Sequence, residues 1–149
     1  MEILAILEPA ELDLFDRLSP AEQVHAYLVM KDVSKSEAVD REVLTAALLH
    51  DVGKTRVPTT LLERSLAVIV LALMPKIASK FSQGEPRGWR RPFVVKAQHA
   101  LWGAELAAKA GSSSKAVSLI RRHQEEVGYE QLDVEDYQLR LLQRADDQN

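Results

Sequence analysis

The sequence predicts an all-α helical bundle, expected as a single domain over residues 1–149. Three observations predict it. Val43, Ala46 and Ala47, with His50, recur at i, i+3, i+4 and i+7, the spacing of one helix face. Helix-start signals recur along the chain, each a Ser, Asp or Pro before a periodic run. No stretch of convincing length alternates apolar and polar residues as a half-buried strand does.

The elements follow in order. Pro9 opens a short helix ending near Leu18. Ser19-Pro20-Ala21-Glu22 joins a capping box to proline at the first helical position, and the helix it starts runs to about Lys31. Residues 34–39 connect. Asp40 caps the next helix, and Gly53 is placed to stop it. Pro58–Met74 is the most apolar helix, interrupted by Pro75, and residues 82–92 (SQGEPRGWRRP) read as a loop. A long helix spans about Pro92–Ala110 and ends at Gly111. One of the serines 112–114 caps a helix reaching about Glu126. After a break at Gly128, Asp133 caps the last helix.

Composition narrows the function classes. The 149 residues are 46% apolar and 28% charged, an ordinary globular balance. A net charge of −3 argues against a protein built to coat DNA or RNA. With no cysteine there are no thiolates, so a bound metal must rest on His, Asp, Glu or water. That donor set suits Mn, Fe, Co, Ni, Zn or Mg. Glu2, Glu8 and Glu11 stand where a signal peptide would be basic. The longest uncharged stretch, Ser65–Pro75, has 11 residues against the roughly 20 a membrane span needs. A cytoplasmic protein without membrane partners is expected.

The chemistry centres on AALLHDVGK, where His50 and Asp51 end an apolar helix. The dipeptide alone is weak, since roughly a quarter of shuffled sequences of this composition contain one. Its context is stronger, because a helix C-terminus carries partial negative charge that favours a cation. A surface pair beside a core helix fits the dipeptide equally well.

With the other histidines the pattern resembles the HD superfamily of metal-dependent phosphohydrolases. His25 lies on the preceding major helix, His99 in QHALWGAEL, His123 in LIRRHQE and Asp146 in LLQRADDQN. The resemblance covers about residues 20–147 and each histidine falls on a different predicted helix. It implies one or two divalent metal ions: the first held by His25, His50, Asp51 and Asp146, the second by Asp51 as bridge with His99 and His123. It also implies catalysis at Asp51, with Lys54 as a candidate phosphate contact, and a small phosphorylated substrate such as a nucleotide. Bound cations would supply an activated water and neutralise phosphoryl oxygens. Histidine ligands must be neutral, so occupancy should fall below about pH 6.5.

Plainer roles fit single residues. His25 suits a half-buried packing position and His123 a solvent-facing one. Gly103, one turn after His99, costs about 1 kcal/mol relative to Ala and implies a close approach by something, tight helix packing included. Asp146 is preferred over Asp147 because it continues the stripe of Leu139 and Leu142. Lys54 could serve as a helix C-terminal charge, and one of Arg121 and Arg122 should point away from His123. Arg87, Arg90 and Arg91 suit a solvated loop better than a phosphate clamp, and Trp89 suits either a base-stacking or an anchoring role.

The pattern departs from the cyclic-dinucleotide phosphodiesterase branch. That branch pairs two histidines where Gln124 follows His123, and carries an Asp-Gly-x-Gly-Tyr-Pro segment where this chain has Glu126-Val127-Gly128-Tyr129-Glu130. The departure argues against cyclic di-GMP hydrolysis and towards small nucleotide hydrolases of the superfamily, whether phosphomonoesterase or phosphodiesterase. A metal-containing domain that senses a ligand or binds a partner without turnover is the alternative.

Overall fold

A computed structural model describes residues 2–37, 39–57, 60, 63, 69, 84–125 and 133–149. Among these the chain is helical: α1 (Glu2–Ile6), α2 (Pro9–Phe15), α3 (Pro20–Val33), α4 (Arg41–Leu49), α5 (Arg91–Lys109), α6 (Ser114–Arg122) and α7 (Val134–Gln148). Short 3₁₀ segments occupy Val52–Arg56 and Gly88–Arg90. Apart from Thr60, Glu63 and Ile69, the expected Pro58–Met74 helix lies outside the described residues, as does the Gly128 break. No described helix is long and apolar enough to cross a membrane.

Side-chain oxygens start most of these helices. Ser19 and Glu22 form the reciprocal capping box, and Asp40, Ser113 and Asp133 accept from the backbone N–H groups of Val43, Ala116 and Asp136. Each cap satisfies an amide that would otherwise lack a partner, worth about 1 kcal/mol. At the far end of α5, Gly111 adopts φ +89° and Ser112 N–H reaches back to the Ala107 carbonyl at 3.0 Å.

α4 is the central helix, touching α1, α2, α3, α6 and α7. It is buried almost all round, and Leu48 and Leu49 meet a core that includes Val29, Leu119, Ile120, Leu139 and Leu142. Each fully buried Leu or Ile is worth roughly 1.5–3 kcal/mol against exposure. That surplus lets the C-terminal end of α4 carry polar groups with unmet hydrogen-bonding capacity.

Three boundaries differ from expectation. α1 precedes the first expected helix, and Ile3 and Ile6 pack on the core. α4 stops at Leu49 rather than Gly53, with His50 as its C-cap. Gly53 has no left-handed φ. It is needed because a Cβ there would lie 1.9 Å from the His99 carbonyl oxygen. Gly103 faces it, a Cβ there falling 3.2 Å from Gly53 N, so this pair seats the 3₁₀ segment on α5 backbone to backbone. α6 stops at Arg122 rather than near Glu126, because the His123 ring takes the Ile120 carbonyl and Glu125 N–H turns back to the Arg122 carbonyl.

Candidate metal centre

Four helix-borne imidazoles meet at the buried end of α4. His25 comes from α3, His50 from the C-cap of α4, His99 from α5 and His123 from the C-cap of α6. Successive ring centroids, in the order His25, His50, His123, His99, are 5.3, 5.3 and 5.2 Å apart. Asp51 and Asp146 complete the cluster.

Local backbone chemistry aims three of the rings. His50 Nδ1 donates to the Ala47 carbonyl at 2.8 Å, and His123 Nδ1 donates to the Ile120 carbonyl at 2.7 Å. Both use a carbonyl that a helix C-terminus leaves without an intrahelical donor. Within α5, His99 Nδ1 lies 3.0 Å from the carbonyls of both Val95 and Lys96. A proton on Nδ1 fixes the tautomer and points Nε2 away from the helix. The Nε2 atoms of His50, His99 and His123 are buried and have no hydrogen-bond partner. An unmet buried polar atom costs about 1–3 kcal/mol, so three converging in one place call for a ligand.

The carboxylates supply the charge. Asp51 is 6% exposed, with Oδ1 3.3 Å from His99 Nε2 and Oδ2 3.5 Å from His50 Nε2. Burial opposes its ionisation, but His50, His99 and Lys54 overcome this and hold its carboxyl well below the usual range. Asp146 Oδ1 lies 2.9 Å from His25 Nε2 and 3.4 Å from His50 Nε2. Burial would raise its pKa, and His25 and His50 together lower it. His50 is opposed by burial too, yet Asp51 and Asp146 leave its pKa raised. Burial, with the charge of His50, pushes His123 down to about 4, so it is neutral at physiological pH.

These atoms fit divalent ions. Ligands about 2.1 Å from a shared ion sit roughly 3.0–3.4 Å from one another in octahedral or tetrahedral arrangements. The separations of 2.9–3.5 Å around the carboxylates match that spacing. Two groups could each hold an ion, His25 with His50 and Asp51, and Asp51 with His99 and His123. Asp51 belongs to both. The nitrogen and oxygen donors suit borderline and hard ions.

All six residues singled out as metal ligands thus come together, and Asp147, next to Asp146, faces solvent. Lys54 sits at the rim, its ammonium donating to Asp51 Oδ2. Sequence reasoning missed Arg122 as a clasp. It pairs with Glu125, Glu135 and Asp136, tying α6 to α7 and so fixing the helix that carries Asp146. Arg121 is exposed. In the 84–92 segment Arg87 pairs with Glu85, Arg91 with Glu63, and Trp89 is 64% exposed with its ring edge-on to Phe93.

No curated protein and no solved structure matches this chain. The HD domain family does match, over residues 23–147, a span that takes in His25 and Asp146 at its two ends. Because that match covers most of the sequence, the chain belongs to the HD domain family.

Proposed function

We propose that this protein is a metal-dependent phosphohydrolase acting on a small phosphorylated metabolite of the nucleotide type. The observation that carries the reading is the clustering of three buried, unpartnered Nε2 atoms around Asp51, those of His50 and His99 within 3.5 Å of its carboxylate oxygens. Family membership supports it, since the superfamily consists largely of such enzymes.

In this reading His25, His50, Asp51 and Asp146 hold one divalent ion, and Asp51, His99 and His123 hold a second. Bound ions would lower the pKa of a water enough to make it a nucleophile near neutral pH and would neutralise phosphoryl oxygens. The chain's own task is positioning. The Nδ1 tethers keep the rings from turning, and burial of Asp51 keeps bulk water from competing for its oxygens. Hydrolysis forms one P–O bond to the attacking water oxygen and breaks the ester P–O bond, the departing alcohol taking a proton. In the same reading Lys54, 28% exposed at the rim, would meet a phosphoryl oxygen.

Elemental analysis of protein purified without a metal-affinity tag should find one or two transition-metal equivalents. The metal-replete protein should hydrolyse at least one member of a broad phosphoester panel, and Asp51→Ala should lower that rate at least about 1,000-fold. Metal-replete protein inert across the panel would sink the enzyme reading. If such inert protein were still stabilised by a phosphorylated ligand, the sensing role would replace it.

A further inference from the structure

We propose that Lys54 is a built-in counter-cation for Asp51, holding in the metal-free protein a position that a divalent ion must contest, and so setting how tightly the centre takes metal. The inference rests on the metal-centre reading above and adds a role for a residue that is not itself a ligand.

The placement comes from the 3₁₀ segment. Asp51 precedes Val52–Arg56 as its N-cap, and Lys54 N–H donates to the Asp51 carbonyl at 2.9 Å. In a 3₁₀ helix, side chains three residues apart eclipse one another. That geometry stacks the lysine stem over Asp51, and Nζ donates to Oδ2. The carboxylate is used asymmetrically. Oδ1 faces His99, while Oδ2 faces both His50 and the ammonium. Lys54 therefore stands on the oxygen turned towards the His25–His50 side.

The neighbouring cations are drawn elsewhere. Arg56 pairs with Glu105 at 3.1 Å and lies over the Trp102 ring, and Arg122 is held by Glu125, Glu135 and Asp136. An ammonium and a divalent ion on one carboxylate oxygen repel strongly where water is scarce. Lys54 is 28% exposed against 6% for Asp51, so its head group can withdraw into water while the carboxylate cannot. Without metal, the same ammonium adds to His50 and His99 in offsetting the buried carboxylate. A lysine that merely balanced a helix terminus would need no contact with the side-chain oxygen of a metal ligand.

The test is calorimetric titration of Mn²⁺ into the metal-stripped full chain. Lys54→Met keeps the stem and removes the charge, and should bind Mn²⁺ on the order of tenfold more tightly than wild type. Lys54→Arg keeps the charge and should stay within about twofold of wild type. Thermal melting gives a second readout: Lys54→Met should melt below wild type without metal and at or above it with saturating Mn²⁺. A terminal-charge role would instead lower both melting points in parallel. Equal or weaker Mn²⁺ binding by Lys54→Met overturns the proposal, as does tighter binding by Lys54→Arg. If wild type binds Mn²⁺ and Asp51→Asn does not, failure at Lys54 leaves the metal centre standing. If wild type binds none, both readings fall. Should Lys54→Met not fold when stripped, withdrawing Mn²⁺ from the loaded variant with chelators of graded strength measures the same affinity from the bound side.

Discussion

The two halves of the centre are built differently. On the inner side, His99 and His123 are buried and each is tethered through Nδ1 to a carbonyl of its own helix. On the outer side, His25 and Asp146 are 25% and 30% exposed and meet each other and His50, across α3, α4 and α7. The inner half is aimed by backbone, so its geometry exists before any ion arrives. The outer half is aimed by a side-chain hydrogen bond between two helices, and an arriving ion would have to share its atoms. Rigidity is thus concentrated where α4, the 3₁₀ segment, α5 and α6 meet, and adjustability where α7 comes over.

The strongest way to break this contrast is at Gly53. A Cβ there would sit 1.9 Å from the His99 carbonyl oxygen and 2.6 Å from Gly103 N, so the segment and α5 must part. Gly53→Ala should cost about 3 kcal/mol of stability, at the upper end of overpacking effects. The inner half should lose its ion while the outer half keeps one, read as a fall from two equivalents to one. Gly103→Ala is the control. Its nearest neighbours are at 3.2 and 3.3 Å, and a helical Ala regains about 1 kcal/mol over Gly. Equal losses in the two variants would mean that the seating of the 3₁₀ segment does not set the inner half.

How much of this was legible in the sequence depends on how local each cause is. The caps at Ser19, Asp40 and Asp133 could be read directly, because oxygen and amide lie within three residues. The ordered histidines could be read through a family resemblance, although each alone had a plainer use. Gly53 looked like a helix stop, since its true reason is a carbonyl 46 residues away on α5. The end of α6 was misplaced because apolar spacing carries no sign that His123 would turn back on Ile120. Asp51 and Lys54 were legible as neighbours, but their contact needed the 3₁₀ geometry that Gly53 permits. α1, five residues long, is too short for periodicity to mark.

A smaller effect sharpens the outer side. Asp146→Asn keeps the shape of the side chain and removes its charge, leaving His25 and His50 without their shared carboxylate. Metal affinity should fall at least about 10–100-fold at one equivalent, since even a carboxylate that only supports a ligand is worth that much. Asp147→Asn, on the exposed neighbour, should change it less than about twofold. Titration of Mn²⁺ into both variants decides the matter, and a larger effect at Asp147 would reverse the assignment of the two aspartates.

The smallest effect belongs to the inner half and concerns protons rather than metal. His123 titrates at about 4 in the folded protein against roughly 6.5 in an unfolded chain. The unfolded chain therefore takes up the proton first as pH falls, and folding stability declines from about pH 6.5 down to pH 4. Between pH 7 and pH 5 the loss should be about 2 kcal/mol in metal-free protein. His50 pulls the other way, because its raised pKa adds stability as pH drops towards 6.5. Asp51 and Asp146, both lowered, lose their contributions only below the ordinary carboxylate range, outside this window. Comparing wild type with His123→Leu isolates the one group. Urea denaturation in chelator at the two pH values should show the variant losing about 2 kcal/mol less than wild type on acidification. An unchanged loss in the variant would place the acid sensitivity outside the inner half and remove burial as the property that separates it from the outer one.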